Sequence, residues 1–315
     1  MRLIDMHCDT LGVLLKKEHS NLQKNQMCID IEKMKSADSL AQFFACFVNL
    51  ANFHSEEDAY RETLRMISYG KDEFTRCHDD IAIAHNTLEI FSNRDAGRMS
   101  AVLTLEEGGV ICGKMEYLEE LHRQGIRLIT LTWNHENCIG FPNSRDPKRM
   151  QRGLKPFGVQ VIHRMNELGM MIDVSHLSDG GFWDVIRYST KPIVASHSNA
   201  RTLCNHARNL SDKMIRALAD KGGVCGINFY PYFLTEIGKA TIENIADHVE
   251  YMYKTGGEDV IAIGSDFDGF DDGELDVRDI GEMNCVYDAI QRRGFTERQM
   301  DKIMSANILR VMQEQ

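Results

Sequence analysis

Short apolar, β-branched runs recur along this 315-residue chain at residues 2–8, 41–49, 100–105, 127–132, 170–174, 192–195, 223–229 and 260–263. Most are separated by amphipathic stretches of helical length. Residues 114–124 set Leu118 and Leu121 three apart among charged neighbours. Residues 156–168 open on Pro156, suited to a first helical turn, and stop at Gly169. Residues 211–221 start on Ser211-Asp212, a helix cap, and stop at Gly222-Gly223. Residues 242–254 run up to Gly256-Gly257, and the stretches 277–293 and 296–312 follow the last run. Strand–helix alternation repeated eight times predicts a closed (β/α)8 TIM barrel. An open doubly wound sheet is the alternative, but no Gly-x-Gly-x-x-Gly follows the first run and no Walker loop occurs. No linker, repeat or low-complexity segment divides the chain, so residues 1–315 are read as one domain. Residues 55–86 read as mostly helical, and the polar stretch 134–152, with Pro142 and Pro147, as a long loop over the barrel mouth.

A barrel of this kind gathers its chemistry at the C-terminal ends of its strands. Five of the eight predicted strands end in metal-ligand or acid–base residues. They are His7-Cys8-Asp9, Glu106-Glu107-Gly108-Gly109, Asp173-Val174-Ser175-His176, Ser196-His197-Ser198 and Asp266-Phe267-Asp268-Gly269. Residues two apart on a strand share a side, so His7 and Asp9 project together and Cys8 faces the other way. Three histidines with carboxylates favour zinc or another borderline divalent ion. Five ligands exceed one tetrahedral site with an open position and suit two ions sharing a bridging carboxylate.

A net charge of −11 argues against nucleic acid and against anionic lipid as partners. No run approaches the roughly 20 apolar residues of a spanning helix. Asp5, His7 and Asp9 interrupt any signal-peptide core, and residues 309–315 lack the apolar tail of a lipid-anchor signal. The nine cysteines are scattered, without a Cys-x-x-Cys pair, and read as reduced thiols. The expected location is cytoplasmic.

In their order, His7-x-Asp9, Glu107-Gly108-Gly109, Asp173-x-Ser175-His176, Ser196-His197-Ser198 and Asp266-Phe267-Asp268-Gly269 resemble the membrane (renal) dipeptidase family, peptidase M19, of the amidohydrolase superfamily. The resemblance runs from residue 2 to about residue 312. His-x-Asp where most amidohydrolases carry His-x-His points to this branch, as does a Glu where many relatives use a carboxylated Lys. The resemblance implies two zinc ions, with His7 and Asp9 on one, His176 and His197 on the other, and Glu107, directly before the Gly-Gly, bridging them. It makes Asp266 the proton-handling acid and gives Asp268 a supporting role. Arg208, in Ala207-Arg208-Asn209, falls where the family grips the substrate carboxylate. The family's substrate-binding His follows the Leu-Thr of strand 4. Here Leu131-Thr132 is followed by Trp133, and the nearest His is His135, two residues on: either His135 reaches back to the same spot as a substrate-binding residue, or that interaction is lost or remodelled. The implied activity is hydrolysis of dipeptides by a metal-bridging hydroxide, with tolerance of a D-residue at the C-terminal position, in a homodimer. The alternative is another amidohydrolase reaction, on an N-acyl amino acid, a cyclic amide or a β-lactam.

Overall fold

Each apolar run pairs with its neighbours in one parallel sheet. A computed structural model describes residues 2–17, 20–271 and 273–315. Its barrel strands are β1 (Leu3–Cys8), β2 (Ser39–Phe47), β3 (Met99–Glu106), β4 (Leu128–Thr130), β5 (Met171–Asp173), β6 (Val194–Ala195), β7 (Val224–Ile227) and β8 (Ile261–Ile263). The order is β2-β1-β8-β7-β6-β5-β4-β3, and β3 pairs back onto β2 from Ala41↔Ser100 to Phe47↔Glu106. That last ladder closes the sheet into the predicted (β/α)8 barrel, leaving it no free edge. All eight strands fall on predicted runs. A further short strand, Ile81–Ile83, lies in the stretch read as helical and pairs with the start of β3.

The helices form where caps and periodicity place them. Ser55 accepts from the Asp58 N–H at the start of Glu56–Arg76, whose first turn is acidic. Ser211 accepts from the Met214 N–H and caps Asp212–Asp220. Pro156–Leu168 ends on Gly169, which takes the left-handed conformation, φ 67°, that a helix C-terminus favours. The predicted loop 134–152 contains one short helix, Pro147–Met150.

Strand alternation sorts the side chains into layers. On β3, Ala101, Leu103 and Leu105 face outward and pack under the helices. Val102 faces inward with Leu128, Met171, Val194, Val224 and Ala262. The C-terminal helix Asn307–Gln313 adds Ile308, Val311 and Met312 to this plug and stoppers the N-terminal end of the barrel. Each fully buried Val, Leu, Ile or Met contributes about 1.5–3 kcal/mol. Toward the C-terminal end the inward positions turn polar while staying buried, at Thr104, Thr130, Asp173 and Ser196. The candidate site rests on that polar layer.

Candidate metal centre and substrate pocket

Strand ends bring the sequence-predicted residues together, with one shift of register. The inward parity of β3 runs Val102, Thr104, Glu106, so Glu106, not Glu107, points into the mouth. Its Oε2 lies 3.3 Å from His7 Nε2, and its Oε1 lies 3.0 Å from His176 Nε2 and 3.6 Å from His197 Nε2. Asp9 Oδ2 and Asp266 Oδ1 stand 3.5 and 3.7 Å from His7 Nε2. His176 Nε2 and His197 Nε2 are 3.1 Å apart. His7, Asp9, Glu106, His176 and His197 are all buried.

The expectation for Glu107 is therefore corrected. Its backbone is left-handed (φ 89°), which turns its side chain back beneath the loop that follows. There it accepts from the Gly109 N–H at 2.8 Å, the Trp133 N–H at 3.2 Å and Asn137 Nδ2 at 2.5 Å. A Cβ at position 109 would sit 2.7 Å from Glu107 Oε1, so the glycine after it is what lets the carboxylate fold back. The family-like Glu-Gly-Gly spacing selected the wrong neighbour. The alternation of outward Leu103 and Leu105 with inward Thr104 was the signal for the right one.

Backbone strain gathers at the same place. Among the described residues, six non-glycine positions have positive φ, and Glu107, His176, Asp266 and Asp268 are four of them. Each such position costs about 1–3 kcal/mol and persists only where its surroundings over-determine it. Asp266 Oδ2 accepts from Asn228 Nδ2 at 2.9 Å. Asp268 ties Thr10 Oγ1 (2.7 Å) and the Cys28 N–H (2.8 Å) to the strand-8 loop, a supporting role. Gly269 lets that loop close, because a Cβ there would lie 2.4 Å from both Asp266 Oδ1 and Asp9 Oδ2.

The electrostatics call for a cation. Burial raises the pKa of Glu106 and of Asp266, although His7 pulls both down. Burial also depresses His176 and His197, with Arg208 and His7 adding to the effect. For His7, burial works against the charge, but Glu106 and Asp9 outweigh it and hold its pKa well above the ordinary value. Both ring nitrogens of His7, and Asp9 Oδ1, are buried without a hydrogen-bond partner among the described residues. Buried polar atoms left unpaired are costly. Carboxylates facing imidazole lone pairs form the donor set that a borderline divalent ion takes. The residues present fit such an ion.

Above this base lies a cavity of about 410 Å³, walled by Phe47, Trp133, Tyr230, Phe233 and Phe270, with Asp9, Glu106, His176 and Asp266 at its foot. The Trp133 ring packs 4.9 Å from Phe47. The Trp133 backbone N–H is held by Glu107, and the chain then turns outward. His135 is consequently exposed, and Asn134 lines the cavity in its stead, its Oδ1 3.0 Å from His176 Nδ1. Of the two residues expected to bind substrate, His135 thus lies outside the cavity lining. Arg208 is 5% exposed, and its guanidinium sits 5.2 Å from the Phe233 ring centre. It donates to Ser198 Oγ (3.1 Å) and the His197 carbonyl (2.9 Å), leaves Nε unpartnered, and makes no ion pair among the described residues.

Three imidazoles and three carboxylates converging at the mouth of a (β/α)8 barrel define a metal-dependent hydrolase. The membrane dipeptidase (peptidase family M19) profile matches residues 1–315. An uncharacterized dipeptidase of Schizosaccharomyces pombe is 32% identical over 98% of this chain and 79% of its own length. A dipeptidase of Claviceps purpurea is 27% identical over 91% of this chain and 69% of its own. Among solved structures, a family M19 metallopeptidase, dipeptidase AC, superposes with a TM-score of 0.91 at 25% identity, covering 100% of this chain and 98% of that one. A Rhodobacter sphaeroides metallopeptidase liganded with a phosphinate mimic of the dipeptide L-Ala-D-Ala has the same fold, with a TM-score of 0.91, 24% identity and coverage of 100% and 99%. This chain belongs to the membrane dipeptidase family, peptidase family M19, and is a metallo-dipeptidase.

Proposed function

We propose that the mouth holds two zinc ions and hydrolyses dipeptides that carry a free C-terminal carboxylate, with an L- or a D-residue in second position. The observation that carries this reading is the placement of Glu106, whose two oxygens face His7 on one side and His176 and His197 on the other. In this reading His7 and Asp9 hold one ion, His176 and His197 hold the second, and Glu106 bridges them. Bound together, the ions supply an activated water and a Lewis acid for the scissile carbonyl.

The chain's own residues do the rest. Asp266, held by Asn228 beside His7, takes the water's proton and passes it to the leaving amine. Arg208 carries a buried positive charge that makes no direct ion pair with a carboxylate among the described residues, which suits it to the substrate's C-terminal carboxylate. Its place beside His197 sets the length of peptide that fits. The aromatic walls exclude water and cover the substrate's side chains. The L-Ala-D-Ala mimic bound by the Rhodobacter sphaeroides protein supports tolerance of a D-residue.

Metal analysis of the purified protein should find close to two ions per chain, and zero or one would overturn the dinuclear reading. Chelation should abolish dipeptide hydrolysis, and added zinc should restore it. We further propose a cytoplasmic homodimer. All nine thiols are unpaired, as suits a reducing compartment, and no helix among the described residues is long and apolar enough to cross a membrane. Light scattering and cell fractionation test these two points.

A further inference from the structure

The polar layer beneath the site contains two matching braces. In each, an Asp on one strand accepts both the backbone N–H and the hydroxyl of a Ser on the neighbouring strand's end. Asp5 takes Ser265 N at 2.8 Å and Ser265 Oγ at 2.6 Å. Asp173 takes Ser196 N at 2.8 Å and Ser196 Oγ at 2.5 Å. The braces differ in what the serine does next. Ser265 Oγ lies 3.2 Å from the Phe267 N–H and 3.4 Å from the His7 carbonyl, so it meets backbone. Ser196 Oγ lies 2.7 Å from His197 Nδ1, so it meets a ring.

We propose that Asp173 and Ser196 form a positioning relay that sets the tautomer of His197 and aims its Nε2 lone pair into the metal centre. The argument is a proton count. As a carboxylate, Asp173 only accepts. It receives Thr130 Oγ1 at 2.6 Å and the Ser175 N–H at 2.9 Å as well as both donors of Ser196. A serine hydroxyl has one proton, and that of Ser196 is spent on Asp173. The short contact to His197 is then satisfied only if His197 Nδ1 carries the hydrogen and donates it. Ser175 Oγ, 3.4 Å from Ser196 Oγ, reaches the serine's second lone pair and itself accepts the His197 N–H at 3.1 Å. Every donor in the network then has one acceptor. Nε2 of His197 is left bare, facing His176 Nε2 and Glu106 Oε1. Among the described residues His7 has no such partner on either ring nitrogen, so the relay acts on one half of the centre only.

The consequence for metal affinity rests on the dinuclear reading above, whereas the tautomer does not, and the two are measured separately. In chelated protein with nitrogen-labelled histidine, at a pH where imidazoles are neutral, the ring shifts of His197 should report the Nδ1–H form. Ser196→Ala should release it, so that the Nε2–H form appears. Asp173→Asn should reverse the chain: the new amide donates to Ser196, whose proton turns to Nδ1, and the Nε2–H form dominates. Far-UV circular dichroism and melting verify that each variant is folded, and the Ser196→Ala spectrum stands alone if Asp173→Asn does not fold. An Nε2–H tautomer in the parent protein, or an Nδ1–H form unchanged in Ser196→Ala, overturns the relay. Zinc titration reads the other half. One of two sites should weaken by about 10- to 100-fold in Ser196→Ala while the other holds. A parent protein that binds no second zinc overturns the dinuclear reading and leaves the relay to be judged by its spectrum.

Discussion

The floor of the barrel mouth and its rim are built on opposite terms. Floor residues stand at strand ends, and the sheet's hydrogen-bond register decides which way each one points. Asp5, Asp173, Ser196 and Ser265 are buried and bonded to one another across neighbouring strands, so the imidazoles and carboxylates above them have little freedom. Rim residues such as Trp133 and Tyr230 sit on loops after strands and meet ring to ring, Tyr230 and Phe233 at 4.7 Å and Tyr230 and Phe270 at 5.2 Å. On the proposed function, the chemistry belongs to the floor and the choice of peptide to the rim. Changes in the floor should therefore alter metal content and turnover, and changes in the rim should alter substrate ranking.

The largest effect should come from the pair of adjacent glutamates. Glu106→Gln removes the carboxylate shared by both halves of the floor. A loss of several kcal/mol of transition-state stabilisation corresponds to about 10³-fold in kcat/KM, with metal content reduced. Glu107→Gln should keep the metal and most of the activity. Its cost should be in stability, about 1–3 kcal/mol, because an amide cannot accept from Gly109, Trp133 and Asn137 as the carboxylate does. Metal analysis and thermal melting separate the two. If Glu107→Gln is the variant that loses metal, the register assigned to β3 is wrong.

Arg208 lies between floor and rim. Arg208→Met should raise KM for dipeptides by about 10- to 100-fold, the worth of a charged hydrogen-bonded contact, with a much smaller change in kcat. It should not destabilise the fold sharply, because the buried guanidinium makes no direct ion pair among the described residues and feels Asp266, Glu106 and Asp173 only at longer range. A melting point that falls sharply would mean that the arginine is a structural strut.

This division also explains what could be read in advance. The eight strands, the closed barrel and the strand-end positions of His7, Asp9, His176, His197 and Asp266 follow from periodicity and from the rule that barrel strands end in the site. Glu106 was within reach of the same reasoning, since Leu103 and Leu105 mark the outward face of β3. Motif spacing outweighed that parity, and motif spacing carries no information about a left-handed residue such as Glu107. The rim was less legible. Where Trp133, Asn134 and His135 point depends on a carboxylate 26 residues earlier holding the Trp133 N–H, and no local pattern encodes it. The orienting contacts of Asn134 with His176 and of Asn228 with Asp266 are long-range in the same way.

Trp133 tests the rim directly. Trp133→Ala removes a wall of the cavity that packs on Phe47 and faces His176. Among dipeptides that differ in one side chain, the ratio of kcat/KM values should shift by about 10-fold, the usual worth of a hydrophobic pocket contact. Metal content should stay unchanged. A loss of metal would show that the rim holds the floor in place, and the separation of roles would fail.

The smallest effects should come from two neighbours on that rim loop. Asn134 Oδ1 stands 3.0 Å from His176 Nδ1, and an amide oxygen only accepts, so Nδ1 carries the hydrogen and Nε2 keeps its lone pair toward the mouth. Asn134 is itself solvent-exposed, so water replaces part of what Asn134→Ala removes. The cost should fall at the low end for a partner of a metal-binding histidine, about 10-fold in metal affinity or turnover. His135 touches the Trp133 ring edge at 5.8 Å and otherwise faces solvent. His135→Ala should leave kcat and KM within about twofold, as surface changes away from buried features do. Steady-state kinetics on one good dipeptide decides between them. If His135→Ala raises KM as much as Arg208→Met does, the loop must fold inward over bound substrate, and the rim would then take part in catalysis rather than only in selection.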